Sequence, residues 1–219
     1  MHMVYLIIEN IHMENQMGLN EDLHKSWNDG WWKWINEVYS KVKDIEPEMH
    51  VSVGMTRVCE INLIEQVLDN CNVYIEIGCG NGYSLLKAKE KGLLAFGFDH
   101  VSEILDGVGT SYINCEIFNG FEISEKFKHE FQGLLDSREP GEKFMVYCDN
   151  GWKVKELEYV APLLMPGDIL GTHDIPTEVP DDFNPGSDYE RLICYETYIE
   201  KYACLQRFWL KLSPDRFLR

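Results

Sequence analysis

Val73-Tyr74-Ile75-Glu76-Ile77-Gly78-Cys79-Gly80-Asn81-Gly82-Tyr83-Ser84-Leu85 is the stretch on which the fold of this chain turns. A short apolar run rich in β-branched residues ends in an acid. Glycines then stand at 78, 80 and 82, and a helical pattern follows. Without Cβ atoms the backbone can turn sharply and come close to a ligand, while the first amides of the helix stay unpaired. The dinucleotide fingerprint is G-x-G-x-x-G, with a pyrophosphate at the helix start. Here the spacing is G-x-G-x-G, and Glu76 stands two residues before the first glycine. A carboxylate in that place suits a cationic ligand better than a pyrophosphate.

Downstream of this turn, strand-like and helix-like segments alternate. Strands are expected at 73–77, 93–98, 111–118, 143–148 and 168–172, and helices at 84–91, 101–105, 122–135 and 153–164. Such alternation implies an α/β fold, a doubly wound and mostly parallel sheet with helices on both faces. Ligands then lie beyond the carboxyl ends of the strands, near the switch in strand order. A helix at about 189–202 and a last strand at 204–210 are expected to finish the sheet. Residues 175–188, IPTEVPDDFNPGSD, read as a loop. Upstream lies a helix-like 56–68, preceded by Trp27, Trp31, Trp32 and Trp34. Three of these tryptophans share a helical face, a stripe for packing against the core or a second subunit, or for a lid. A homo-oligomer is among the expectations.

The chain has 219 residues, 45% of them hydrophobic, and a formal net charge of −17. That is the composition of a globular protein with a sizeable core. The negative charge repels phosphate backbones and anionic membrane surfaces, so neither nucleic acid nor a membrane is expected as partner. No apolar run is long enough to span a bilayer, and the first basic residue is Lys25, so a cytoplasmic location is expected. The seven cysteines contain no C-x-x-C pair, which argues against a zinc-thiolate site or a disulfide framework. They read as reduced and structural.

Three further acids fall at strand ends. Asp99 closes the second strand, where nucleotide-binding sheets place an acceptor for ribose hydroxyls. Asp149 closes the fourth strand, and His173-Asp174 the fifth. Adjacent strands would put these last three on one rim, where clustered carboxylates need a shared proton, a cationic substrate group or a divalent metal. Two carboxylates and an imidazole form a partial shell for Mg²⁺ or Mn²⁺. Asp149 and His173 are also the candidates for a general base.

The glycine segment resembles the first motif, E/D-x-G-x-G-x-G, of class I S-adenosylmethionine (SAM)-dependent methyltransferases. The resemblance implies SAM as cofactor, with Glu76 at its amino-acid end and Gly78, Gly80 and Gly82 beneath the ribose and methionine portion. It also points to His100, Glu116 and Ile117 around the adenine. The stretch from Phe144 to Asp174, FMVYCDNGWKVKELEYVAPLLMPGDILGTHD, looks like the branch containing macrocin O-methyltransferase and cephalosporin-hydroxylase-like proteins. Glu76, Gly78 and the Gly82-Tyr83-Ser84 step fit that branch's E-x-G-x-x-x-G-x-S/T form. Several of its members bind Mg²⁺ through strand-end acids, which implies Asp149, His173 and Asp174 as metal ligands. The chain departs from the branch in three places. Asn-Gly-Trp follows Asp149 where a histidine and a tyrosine are usual. Asp168 follows Gly167 in place of a second glycine, and His173 stands where relatives often carry an acid.

The resemblance implies a methyltransferase for a small-molecule acceptor, methylating at oxygen, with residues 1–70 as a helical or lid extension and 71–219 as the SAM-binding domain. Two alternatives stay open. One is an NAD-dependent oxidoreductase, against which the glycine spacing speaks. The other is a non-catalytic relative that keeps the fold as a binding module.

Overall fold

The computed structural model describes residues 37–214, except 39, 54–55 and 101–103. The tryptophan stripe and most of the proposed lid therefore lie outside the described residues, as does most of the expected helix at 101–105; Ile104 and Leu105 are not helical.

The centre is a seven-stranded sheet. Its strands are β1 (Val73–Ile77), β2 (Leu94–Asp99), β3 (Tyr112–Asn114), β4 (Phe144–Cys148), β5 (Ile169–Thr172), β6 (Tyr189–Arg191) and β7 (Arg207–Lys211). They lie in the order β6-β7-β5-β4-β1-β2-β3. The pairs β1–β2, β1–β4, β2–β3 and β4–β5 are parallel, while β7 runs antiparallel to both β5 and β6. The order reverses between β1 and β4, so the switch point lies where the glycine turn and the Asp149 strand leave the sheet.

All five residues of β1 and all five of β4 are buried, as strands covered on both faces must be. Alternation divides them between two cores. Val73, Ile75 and Ile77 pack with Phe127 and Phe131 of α3 (Glu125–Asp136) and with Leu157 and Val160 of α4 (Lys153–Val160). Tyr74 faces the other way, onto α1 (Val58–Leu68), α2 (Tyr83–Glu90) and α5 (Glu196–Tyr202). Glu76 therefore points to the α1–α2 side, at the very end of its strand.

The expected elements differ from the observed ones in four places. The third strand stops at Asn114, and Phe118–Asn119 instead pairs with Glu122–Ile123 in a small hairpin around Gly120-Phe121. Gly120 has φ 63° there, the positive φ that glycine supplies at the first central position of a two-residue hairpin turn. Helix α3 consequently starts at Glu125, where the Ser124 hydroxyl accepts from the Phe127 amide at 3.1 Å. Residues 189–202 are not one helix: Tyr189–Arg191 form the edge strand β6, and the helix begins at Glu196. The last strand does not end the sheet but is inserted between β5 and β6.

All seven cysteines are free thiols, and five of them are buried. Among the described residues no helix is long and apolar enough to cross a membrane.

Candidate functional site

The carboxyl ends of β1, β2, β4 and β5 form one rim, and most of the residues singled out by sequence meet there. Gly78, Gly80 and Gly82 all have positive φ, at 84°, 50° and 87°. A Cβ on Gly78 would lie 2.6 Å from the Asp149 carbonyl and the Asn150 nitrogen, so the turn rides directly on the end of β4. A Cβ on Gly80 would meet nothing within 4 Å. The turn is thus closed against protein at its first glycine and open at its second. Gly82 starts α2 with no side chain capping the helix amides.

Asp99, at the end of β2, braces this turn: its carboxylate accepts the Gly80 amide at 2.7 Å and the His100 amide at 2.6 Å. His100 is half exposed beside it, with Nδ1 3.5 Å from Asp99 Oδ1.

Glu76 is 4% exposed and accepts the Ser84 hydroxyl from the first turn of α2. Tyr83, one residue earlier, is half-buried. Burial pushes the Glu76 carboxyl up to about 8, and the negative charges of Asp149 and Asp99 push the same way. No cationic side chain pairs with it among the described residues. Among the described residues Glu76 is thus a buried acid with no cation beside it.

The neighbouring cluster differs. Ligand atoms of Asp149, His173 and Asp174 lie within 4.8 Å of one another, the one such group among the described residues. Sequence reasoning missed three residues that complete it. Lys153, the first residue of α4, places Nζ 2.8 Å from Asp174, 2.8 Å from Glu178 and 3.5 Å from Asp149. Glu60 of α1 brings Oε1 3.2 Å from His173 Nε2 and is itself paired with Arg57 at 2.6 Å. Glu178 comes from the loop after β5. Asp174 holds its place with φ 59°, a left-handed conformation that Asp tolerates better than most residues.

Burial would lower the His173 imidazolium, but Asp174, Asp149 and Glu60 outweigh it and hold the ring protonated well above its usual range. Burial likewise opposes the charge on Lys153, and Asp174, Asp149 and Glu178 overcome it. On Glu60 burial is outweighed by His173 and Arg57, which bring it down to about 2. Asp149 ends near 6, because burial prevails over the pull of His173 and Lys153.

The donor set does not fit a divalent ion as it stands. His173 Nδ1 lies 3.1 Å from Asp174 and Nε2 3.2 Å from Glu60. Nδ1 directs its proton at Asp174, so the ring nitrogen that faces the cluster has no lone pair for a metal, while Nε2 is buried beside Glu60 without an aligned hydrogen bond. The expectation of Asp149, His173 and Asp174 as ligands meets its obstacle in that proton and in Lys153.

Of the two residues expected around the adenine beyond the third strand, Ile117 is buried and Glu116 exposed. Ile117 is 3% exposed and packs into the core, because the chain leaves the sheet after Asn114 and turns inward. The Glu116 side chain points to solvent, and its carbonyl accepts the Ser124 hydroxyl. A different feature occupies that side of the rim: Trp152 stands against Phe121 at 5.3 Å and Phe118 at 6.2 Å, with the Lys155 ammonium 5.1 Å from the indole.

Five parallel strands in chain order 3-2-1-4-5, continued by an antiparallel strand wedged before the sixth, decide the architecture. The fold is a doubly wound, Rossmann-like α/β fold with a mostly parallel seven-stranded sheet. Solved structures of similar shape include a SAM methyl transferase from Silicibacter pomeroyi DSS-3, 15% identical, covering 70% of this chain and 89% of that one, TM-score 0.44. The O-methyltransferase TomG of Streptomyces achromogenes, in complex with SAM, is 13% identical over 81% of this chain and 90% of its own, TM-score 0.44. An O-methyltransferase from Bacillus cereus is 9% identical over 80% and 91%, TM-score 0.44. No family model matches the sequence, and no curated protein matches it.

Proposed function

We propose that the protein is a SAM-dependent methyltransferase acting on a hydroxyl oxygen of a small-molecule acceptor. One observation carries the reading: a buried acid, Glu76, with no cation beside it among the described residues, lies at the foot of a glycine turn whose middle residue faces open space. Bound there, SAM supplies the methyl group on a sulfonium. The protein's own residues do the rest. Glu76 holds the cationic amino-acid end of the cofactor. The backbone of 78–82 passes beneath the nucleoside, with Tyr83 and Ser84 at the start of the supporting helix. Asp99 accepts the ribose hydroxyls, and His100 flanks the adenine on the exposed side.

Transfer to oxygen requires an aligned acceptor and removal of its proton. Of the two base candidates the arrangement favours Asp149. It ionises near 6, is therefore charged at neutral pH, and lies against the glycine turn. His173, protonated and flanked on both nitrogens, orients Asp149 from 3.5 Å and is a positioning residue. The net charge of −17 supports a small acceptor over a polyanion.

Calorimetry with SAM, with its demethylated thioether product S-adenosylhomocysteine, and with NAD tests the reading. Saturable heat is expected with the first two and none with NAD. Absence of heat with both SAM and its product at high protein concentration would sink it.

A further inference from the structure

We propose that the ammonium of Lys153 occupies the position a divalent ion would take among the strand-end acids, so that this cluster carries its own fixed cation and operates without a metal. The inference does not depend on the methyl-transfer reading, because it concerns what neutralises Asp149, Asp174 and Glu178.

An ammonium has three donors, and Lys153 Nζ finds three carboxylates: Asp174 at 2.8 Å, Glu178 at 2.8 Å and Asp149 at 3.5 Å. The side chain is 4% exposed, so these groups replace its water. Its position follows from the backbone. β4 ends at Cys148, Asp149 follows it directly into a short turn, and Lys153 opens α4 four residues after Asp149, which aims it back across the strand ends. A buried charge stripped of partners costs several kcal/mol, so an incoming ion would have to displace an ammonium with nowhere to go. The second obstacle is His173, whose Nδ1 lies 3.1 Å from Asp174 and 3.5 Å from Asp149, so that the nitrogen facing these acids carries a proton toward them. The cluster sets Asp149, Asp174, Glu178 and Glu60 against Lys153, His173 and Arg57, and the cations interleave with the anions. A divalent shell is built the other way, from acids around an empty centre.

Lys153 is then the residue that separates two chemistries. Without its ammonium, Asp149, Asp174 and Glu178 surround a vacant space of the right sign for Mn²⁺.

The test is a Mn²⁺ titration of the full chain, following the free aquo-ion by electron paramagnetic resonance. Wild type is expected to leave the free-ion signal where Asp174→Asn leaves it; uptake common to both belongs to the acidic surface. Lys153→Gln is expected to take up one further equivalent, and Lys153→Arg none. Stoichiometric uptake by wild type that Asp174→Asn abolishes would overturn the proposal. So would a folded Lys153→Gln that binds no more than wild type. If Lys153→Gln does not fold, the wild-type lysine ¹⁵N spectrum decides. A slowly exchanging Lys153 ammonium signal that stays sharp with Mn²⁺ supports the proposal, and its broadening or absence overturns it. None of these readouts involves SAM, so the cofactor reading stands or falls separately.

Discussion

Two acidic regions adjoin at the carboxyl edge of the sheet, and they handle buried negative charge in opposite ways. Around Asp149 four acids face cations: Asp149 and Asp174 meet His173 and Lys153, Glu178 meets Lys153, and Glu60 meets Arg57 and His173, while Glu156 close by is buried without an ion pair. Around Glu76 the acid meets a hydroxyl, and other acids lie near. Both arrangements are buried, so exposure does not explain the contrast. The first is complete in itself and adds rigidity to the rim. The second leaves the acid protonated, and a ligand that brings a cation can take the place of that proton. Cations and open space around an acid therefore say more about its role than the acid does.

The comparison breaks most visibly at Lys153. Lys153→Met leaves three carboxylates facing one another and should cost about 3–5 kcal/mol of stability, measured by urea denaturation. If the loss is under about 1 kcal/mol, the cluster is not a closed unit and the contrast with Glu76 fails. The glycine turn comes next. Gly78→Ala combines φ 84° with a 2.6 Å approach to the Asp149–Asn150 backbone and should cost about 3 kcal/mol. Gly80→Ala, with φ 50° and nothing within 4 Å, should cost about 1–2 kcal/mol of stability, yet weaken nucleoside binding more than that strain alone. Equal effects of the two on stability would mean that the turn is not closed on one side and open on the other.

How much of this was legible in the sequence depends on the physical signal at each place. The five parallel strands were, because apolar runs such as Phe144–Cys148 end in turn residues and need no tertiary information. β6 was not: Glu190 and Arg191 are polar, and an edge strand is held by pairing with β7 rather than by an apolar pattern of its own. The 118–123 hairpin carried its signal in Gly120, which the apolar run through Phe118 obscured. In the site, Glu76, Asp99 and Asp149 could be found because each closes a strand. Lys153 could have been found four residues beyond the strand-four acid, but its helical surroundings made it read as surface. Glu60 and Glu178 carry no spacing signal. Glu60 sits at the start of α1 as its capping residue, accepting the Arg57 amide, and meets His173 only when the sheet order is known. Strand order, decided by pairing, is what a single sequence conceals.

Glu76→Gln sharpens the comparison by removing charge and keeping shape. Because the acid is protonated at neutral pH in the free protein, the variant should fold with stability within about 1 kcal/mol of wild type. Binding of SAM should fall on the order of ten- to a hundredfold, the worth of a charge-assisted hydrogen bond. A variant that binds normally would show that Glu76 is a structural acid.

The smallest effect expected is also the most specific, and it lies in the protons. Glu76 ionises near 4.5 when unfolded and near 8 in the folded protein without ligand. Between those values the folded state holds a proton that the unfolded state has lost, so this group makes stability fall as pH rises from about 5 to 8. A cationic ligand favours the ionised form and reverses that trend. At pH 7 binding of S-adenosylhomocysteine, through its ammonium, should then release close to one proton from wild type and none from Glu76→Gln. Calorimetry in two buffers of different ionisation enthalpy counts that proton directly. The Asp149 cluster offers a built-in control, since its acids already have their cations and should release nothing on binding. Proton release of equal size from the Gln variant would place the titrating group elsewhere on the rim. Binding without any release would mean that Glu76 is ionised before the ligand arrives, and that its cation was supplied by the protein after all.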